Sequence, residues 1–417
     1  MNENYSQLMA KPPDLRGRRI VISMSSIRIV FLAALLFTAN GALNRFGAAN
    51  GLVWMTASVV AIVWFIQKPR LMSSLLAQNW AILILPLYAI ASTVWSASPS
   101  VTANDGVQML FTTIISLRII DALKTRQIMT AMMIALGTAT AASLLNLGIG
   151  FLHPVYELNG AFLGIFSQKN NFAKAVFWFA FATTAISLID RRPLIGILCT
   201  LLTFPLTLVA LSRTGQVGYI FIVILLLLAA LRHLSIQSRI VLPVVLAFAL
   251  LGSAIAYALT GGALIGDFLI LMGKNPTLTG RTVIWGLGLS VWQDNILVGI
   301  GFNAFWTSPL YADAVAYISS NVDDGLHGFH NVYVEFLVAF GVIGAGYLVW
   351  LMILAWIRLV RAFVTTRSLE IAIWLSILSA LFVFGGFEDS FSKPRSGHFM
   401  LAVMVFSYAR KVATKSR

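Results

Sequence analysis

Apolar residues run through this chain in blocks long enough to cross a lipid bilayer, and polar residues interrupt them at short intervals. A bilayer core about 30 Å thick takes about 20 residues of helix. Blocks of that kind predict twelve spans, at 28–44, 48–67, 79–96, 106–122, 128–150, 171–189, 193–211, 215–231, 239–260, 332–357, 369–386 and 396–410. The first, fourth and last are the weakest, and Arg118 sits inside the fourth. The pattern changes between the ninth and tenth spans. There VIWGLGLSVW, 283–292, sets apolar residues at Val283, Ile284, Leu287, Leu289 and Val291. It predicts a short helix lying in the membrane interface, with Trp285 and Trp292 at headgroup level. The expected fold class is an all-α integral membrane protein. It has an N-terminal tail (1–27), nine transmembrane helices (28–260), a large loop with short interfacial helices (261–331), three more transmembrane helices (332–410) and a C-terminal tail (411–417).

Composition and charge sharpen this picture. Of 417 residues, 59% are hydrophobic and 11% charged, against about 25% charged in soluble proteins. The net charge of +14 does not point to nucleic acid, because Lys and Arg occur in small groups between apolar blocks, as topology signals do. With the N-terminus inside, alternate loops put 21 of the 29 basic residues on the cytoplasmic side. The other 8 are Arg45, Lys169, Lys174, Arg213, Lys274, Arg281, Lys393 and Arg395. Both termini are therefore expected in the cytoplasm. Acidic residues collect on the outer side, in 151–170, the 261–331 loop and 387–395. The first apolar block has no evident small-residue cleavage site after it and reads as a retained helix. One cysteine, Cys199, excludes an internal disulfide and a multi-cysteine metal site. No nucleotide-binding loop is found on the inner side, which argues against ATP-driven chemistry.

Polar chemistry concentrates in outer segments. In LSRTGQVG, 211–218, Ser212 and Arg213 separate two apolar blocks, and Gly215 and Gly218 allow a close helix approach or a kink. Arg213 reads either as a snorkelling turn residue or as a cation held by something anionic. In LTGRTVIW, a helix starting near Thr279 would set free N–H groups beside Arg281, an anion site for phosphate; the plainer reading is an interfacial anchor. VGIGFNAF, 298–305, has glycines suited to a tight loop and carries Asn303. In GLHGFHNVYVEFLVAFGVIG, 325–344, His327 and His330 stand at the mouth of a span, where an imidazole can take a proton near neutral pH. Asn331 suits a sugar hydroxyl, Glu335 suits pairing with an arginine or orienting the site, and Gly341 and Gly344 read as helix-packing residues. The H-x-x-H spacing lacks an evident third ligand, so no metal is expected. NGAFLGIFSQKNNFAK, with Lys169, Asn170 and Lys174, and FEDSFSKPRSGH, with Glu388, Asp389, Lys393 and Arg395, are weaker clusters that also read as solvated loops.

Taken in order, GIFSQKNNFA, LSRTG, LTGRTVIW, VGIGFNAF and HNVYVEFLVAFGVIG resemble the O-antigen ligase and Wzy-type polysaccharide polymerase superfamily, in particular the exopolysaccharide polymerases of the ExoQ type. The resemblance covers about residues 160 to 345; the earlier spans match only in hydropathy and count. It implies a GT-C type glycosyltransferase that takes an oligosaccharide from undecaprenyl diphosphate at the periplasmic face of the bacterial inner membrane. It implies no cofactor and no metal. Its partners would be the lipid-linked oligosaccharide, membrane lipid, and a flippase and chain-length regulator of the same pathway. Arg213 and Arg281 map onto the diphosphate-holding arginines, and His330 onto the histidine that positions or deprotonates the acceptor; these form the expected catalytic set. Ser212, Lys169, Asn170, Trp285, Asn303, Asn331, Tyr333, Glu335 and Glu388, from the same segments, are the expected substrate-binding set. His327 has no counterpart. A ligase transferring finished glycan to lipid A core or another acceptor shares this chemistry and is the first alternative; a lipid-glycan flippase is the second.

Overall fold

The computed structural model describes residues 23–158, 160–232, 281–321, 328–389 and 391–415. The predicted span 239–260, residues Thr279 and Gly280, and His327 lie outside them. The described chain is helical, with one isolated bridge between Tyr156 and Phe162. In order the helices are α1 (Met24–Ala39), α2 (Gly47–Gln67), α3 (Pro69–Gln78), α4 (Trp80–Ala91), α5 (Pro99–Ala122), α6 (Thr125–Ile149), α7 (Lys169–Ile189), α8 (Pro193–Val209), α9 (Arg213–Leu231), α10 (Arg281–Gln293), α11 (Ala312–Asn321), α12 (Val332–Thr366), α13 (Leu369–Gly385) and α14 (Gly397–Lys415). Every predicted span within the described residues overlaps one of them, and α10 covers the predicted interfacial helix.

Among the described residues, five helices are long and apolar enough to cross a membrane: α2, α6, α7, α9 and α12. A sixth is reached if α3 and the helix after it count as one span, although they bend by 91°. Helices α1, α8 and α13 are apolar but shorter. This is a multi-pass helical membrane protein. The sequence expectation began its span at 79 and left the residues of α3 outside any span. Asn79 accounts for the bend: its side-chain N–H donates to the Leu75 carbonyl at 2.8 Å, closing α3 with a side chain.

Polar contacts gather at two ends of the bundle. At one, Arg126 of α6 makes a two-point contact with Asp190 after α7 (2.9 and 2.8 Å), and Lys411 of α14 meets Asp121 of α5 (3.1 Å). The other end holds the turns after α1, α4 and α8, the 296–311 segment and the 386–396 turn. Helices α7 and α9 meet closely there, with Gly215 against Ala173 and Gly218 against Phe177.

One helix is broken in a way that positions this second end. At Gly341, inside α12, the backbone takes φ 62° and ψ −166°. The break frees N–H and C=O groups, which are costly to leave unpaired in a membrane. The 296–301 segment satisfies them. Val342 and Ile343 donate to the Ile296 and Leu297 carbonyls (2.8 and 3.3 Å), while Ile300 and Gly301 donate to Val338 and Ala339 (2.9 and 3.1 Å). A Cβ on Gly341 would collide with the Leu297 backbone, so glycine is needed for both its positive φ and its contact. The sequence reading made Gly341 a helix-packing residue; it is the point where a loop stitches into a helix. The same loop is fixed from the other side: Ala97 N–H donates to Ile300 O (2.9 Å) and Thr102 Oγ1 to Phe302 O (2.8 Å).

Candidate functional site

Glu388 organises the site. It follows α13, and its N–H donates to the Phe384 carbonyl at 2.8 Å, so the helix end sets its position. Its side chain is 4% exposed, and Lys174 of α7, 7% exposed, places Nζ 2.9 Å from Oε2. Oε1 accepts from Asn170 Nδ2 at 3.1 Å and from Thr214 Oγ1 at 3.2 Å. Ser212 caps α9, accepting the Gly215 N–H at 3.2 Å, and donates its hydroxyl to Asn170 Oδ1 at 2.8 Å. Arg281, the first described residue of α10, has Nη2 4.0 Å from Glu388 Oε1 and donates Nη1 to the Phe387 carbonyl at 2.8 Å. One buried carboxylate thus ties together α7, α9, α10 and the turn after α13. Buried charges need such partners because desolvation costs several kcal/mol per ion.

His330 stands beside this network. Its backbone takes φ 49°, a left-handed conformation that costs a non-glycine residue about 1–2 kcal/mol. Neighbouring bonds hold it there. Glu335 Oε2 accepts the Phe329 N–H at 3.1 Å, Trp285 Nε1 donates to the Phe329 carbonyl at 2.7 Å, and Asn331 caps α12 by accepting from Tyr333 N (3.0 Å) and Val334 N (3.2 Å). Gly328 packs directly on the Asp389 carboxylate, leaving no room for a side chain. His330 Nδ1 is buried and has no hydrogen-bond partner among the described residues. Burial pushes the imidazole below its ordinary pKa, against the pull of Asp389 and Glu388. Burial also opposes ionisation of Asp389, but Lys393, 3.2 Å away, with His330 and Lys174, outweighs it and holds that carboxyl below its ordinary value. The arrangement supplies a neutral imidazole, an ionised carboxylate beside it, and two cations around Glu388.

The remaining expected residues divide. Arg213 begins α9 next to Ser212, but its side chain is exposed and Nη1 donates to Gln216 Oε1 at 2.8 Å. It borders the network without contacting Glu388. Lys169 pairs with Glu157 at 3.0 Å, one turn before Lys174. Asn303 lies farther along the same end, φ 55°, with Nδ2 donating to Asp105 Oδ2 of α5 at 2.7 Å. The Tyr333 hydroxyl donates to the Phe382 carbonyl at 2.8 Å. Asn331, Glu335 and Trp285 therefore spend polar atoms on fixing the His330 turn, and Tyr333 spends its hydroxyl on α13. Lys174, Thr214 and Asp389 are the network members that sequence reasoning left out of the expected set. Lys174 had one signal, a cation placed inside an apolar helix; Thr214 had none beyond its place in SRTG.

Ligand atoms of His330, Glu388 and Asp389 lie within 4.8 Å of one another, a spacing compatible with one metal ion. The donor chemistry fits poorly. Glu388 is already matched by Lys174, with Arg281 nearby, and a divalent cation bound there would be forced against both.

Residues 198–349 match the family model described as O-Antigen ligase, Wzy_C. That segment runs from α8 through Arg213, Arg281 and His330 to the broken helix α12. The chain is also similar to the exopolysaccharide production protein ExoQ of Rhizobium meliloti (strain 1021), 28% identical over 337 residues, which is 76% of this chain and 73% of the relative. The resemblance drawn from the ordered motifs is thus found again by a family match and by similarity over most of the chain.

Proposed function

We propose that a chain with this O-antigen ligase segment is a polysaccharide polymerase. It joins undecaprenyl-diphosphate-linked oligosaccharide repeats into surface polysaccharide at the periplasmic face of the bacterial inner membrane. The observation that carries the reading is the Glu388 network. It holds Lys174 and Arg281 around one buried carboxylate, with the neutral His330 imidazole alongside. The fold would be of the GT-C type with twelve spans and both termini cytoplasmic. The count of twelve includes 239–260, which lies outside the described residues, and the 21-to-8 division of basic residues supports the orientation.

In the reaction an acceptor hydroxyl oxygen bonds to the anomeric carbon of the donor's reducing-end sugar, and the bond from that carbon to the diphosphate oxygen breaks. The hydroxyl proton passes to His330, which burial keeps neutral and ready to accept it. The electron pair leaves with the lipid diphosphate. Arg281 faces that group, and Arg213, exposed at the start of α9, is free to swing from Gln216 onto it. A cation about 4 Å from a phosphate oxygen contributes on the order of 4 kcal/mol at an effective dielectric of 20, before desolvation. These side chains do the work of a metal. Ser212, Asn170 and Glu388 hold the cations in register, and Lys169, Asn303 and Trp285 line the approach for sugars. A flippase and a chain-length regulator are the expected pathway partners.

The family description favours one second reading, a ligase that passes finished glycan to lipid A core or another acceptor. Deleting the gene and examining the glycan tests both. Single repeats held on lipid, with long polymer absent, support the polymerase. Long lipid-linked polymer stranded without its acceptor replaces it with the ligase. Arg281→Ala should accumulate lipid-linked repeats outside the inner membrane; repeats retained on the cytoplasmic side would indicate a flippase and overturn both.

A further inference from the structure

Another arginine faces the same end of the bundle, outside the Glu388 network. Arg45 lies in the turn joining α1 to α2. Its Nη1 is buried, and among the described residues it has no hydrogen-bond partner. A buried unpaired donor costs about 1–3 kcal/mol, so the unpartnered Nη1 of this half-buried arginine suits an anionic partner. It is also one of the few basic residues the charge pattern puts outside, where positive charge is disfavoured in a short turn.

The turn is built onto the start of α7. Gly41, φ +85°, reverses the chain after α1, and a Cβ there would lie 3.0 Å from Asn44 Nδ2 and 3.1 Å from Asn171 Nδ2. Asn171 adjoins Asn170 of the Glu388 network. Asn50 Nδ2 donates to Asn44 Oδ1 at 3.1 Å, tying in the first turn of α2. The Asn44 and Asn171 amides therefore meet in the turn that carries Arg45, and amide N–H groups and a guanidinium are all donors suited to an oxyanion. The next residues say how an anion would arrive. Phe46, Leu52 and Met55 are 44%, 59% and 62% exposed, so the corner opens onto the apolar surface of α2, the side from which a lipid would enter.

We propose that Arg45, in the turn that carries Asn44 and abuts Asn171, binds the phosphate of a second membrane-borne lipid. Resting on the polymerase reading, that lipid is the acceptor. Joining two lipid-linked chains requires holding two lipid diphosphates at once, and the Glu388 network accounts for one. The same chemistry would accept an outer-leaflet phospholipid, and the test separates the two sources.

The full-length protein in phosphatidylcholine nanodiscs is titrated with undecaprenyl diphosphate and, separately, with phosphatidylglycerol, and bound lipids are counted by native mass spectrometry. The wild type should bind two undecaprenyl diphosphates. Arg45→Gln should bind one, with the second weakened about tenfold or more, the scale of one charge-assisted hydrogen bond. Arg45→Lys should recover part of the loss, which guards against a folding defect. Arg281→Gln should lose the other lipid and keep the Arg45 one. If Arg45→Gln instead loses only phosphatidylglycerol, the site holds and its lipid is a bulk phospholipid. If the wild type binds no undecaprenyl diphosphate, the polymerase reading fails while the phosphatidylglycerol arm still reads Arg45. Equal binding of both lipids by Arg45→Gln and wild type overturns the inference.

Discussion

Replacing Glu388 by Gln removes the one negative charge at the centre of the network and keeps its shape. The amide oxygen can still accept from Asn170 and Thr214, now at 3.1 and 3.2 Å. The loss falls on Lys174, whose ammonium is 7% exposed and would then face an amide N–H, donor against donor. Removing one partner of a buried ion pair costs about 3–5 kcal/mol. The retained bonds place Glu388→Gln near the lower end, about 3 kcal/mol, or about two powers of ten in the unfolding constant. Denaturant or thermal unfolding in detergent measures it. Lys174→Met should be comparably destabilising, because it leaves the buried Glu388 with Arg281, 4.0 Å away, in place of a cation at 2.9 Å. The double variant decides the matter: with both charges gone it should be more stable than the sum of the singles by about 2 kcal/mol. Glu388→Gln within about 0.5 kcal/mol of wild type, or strict additivity in the double variant, would refute the claim that this pair is a buried and coupled charge pair.

Other outcomes follow from the same geometry. His330 is held below the ordinary histidine value of about 6.5, so the acid limb of kcat/KM should fall below pH 6.5. Asp389→Asn removes a group that pulls that value up, and the limb should move to still lower pH; a shift upward would contradict the assignment. In stability the sign is the same: the fold disfavours imidazolium, so acid costs stability as pH drops below the unfolded-state value of about 6.5. Gly341→Ala forces a side chain into the Leu297 backbone at a positive φ and should cost more than about 1–3 kcal/mol, read as lost folded yield in detergent, whereas Gly346→Ala, with open space around it, should be neutral.

The positions of the helices were readable because a bilayer imposes a length, and a block of about 20 apolar residues answers to it. What could not be read depends on distance along the chain. Asn170 and Lys174 meet Glu388 across 218 and 214 positions, so 387–398 looked like an ordinary loop although it carries the central carboxylate. The break at Gly341 was hidden for a related reason. A glycine within an apolar run looks the same whether it packs against a helix or receives a loop, and the deciding partner, 296–301, lies some forty residues earlier. His330 was legible as a titratable group at a span's mouth. Its left-handed backbone, and the use of Asn331, Glu335 and Trp285 to hold it, were not, because each of those residues also suits direct contact with a sugar.

The stitch between 296–301 and α12 has a mechanical consequence. Four backbone bonds join the 296–301 segment to the helix on both sides of its break, and His330 stands just before that helix begins. The segment and the start of the helix are thus tied into one backbone unit. On the polymerase reading, a displacement of that segment wide enough to admit a longer sugar chain would carry the imidazole with it, so that threading and chemistry would alternate.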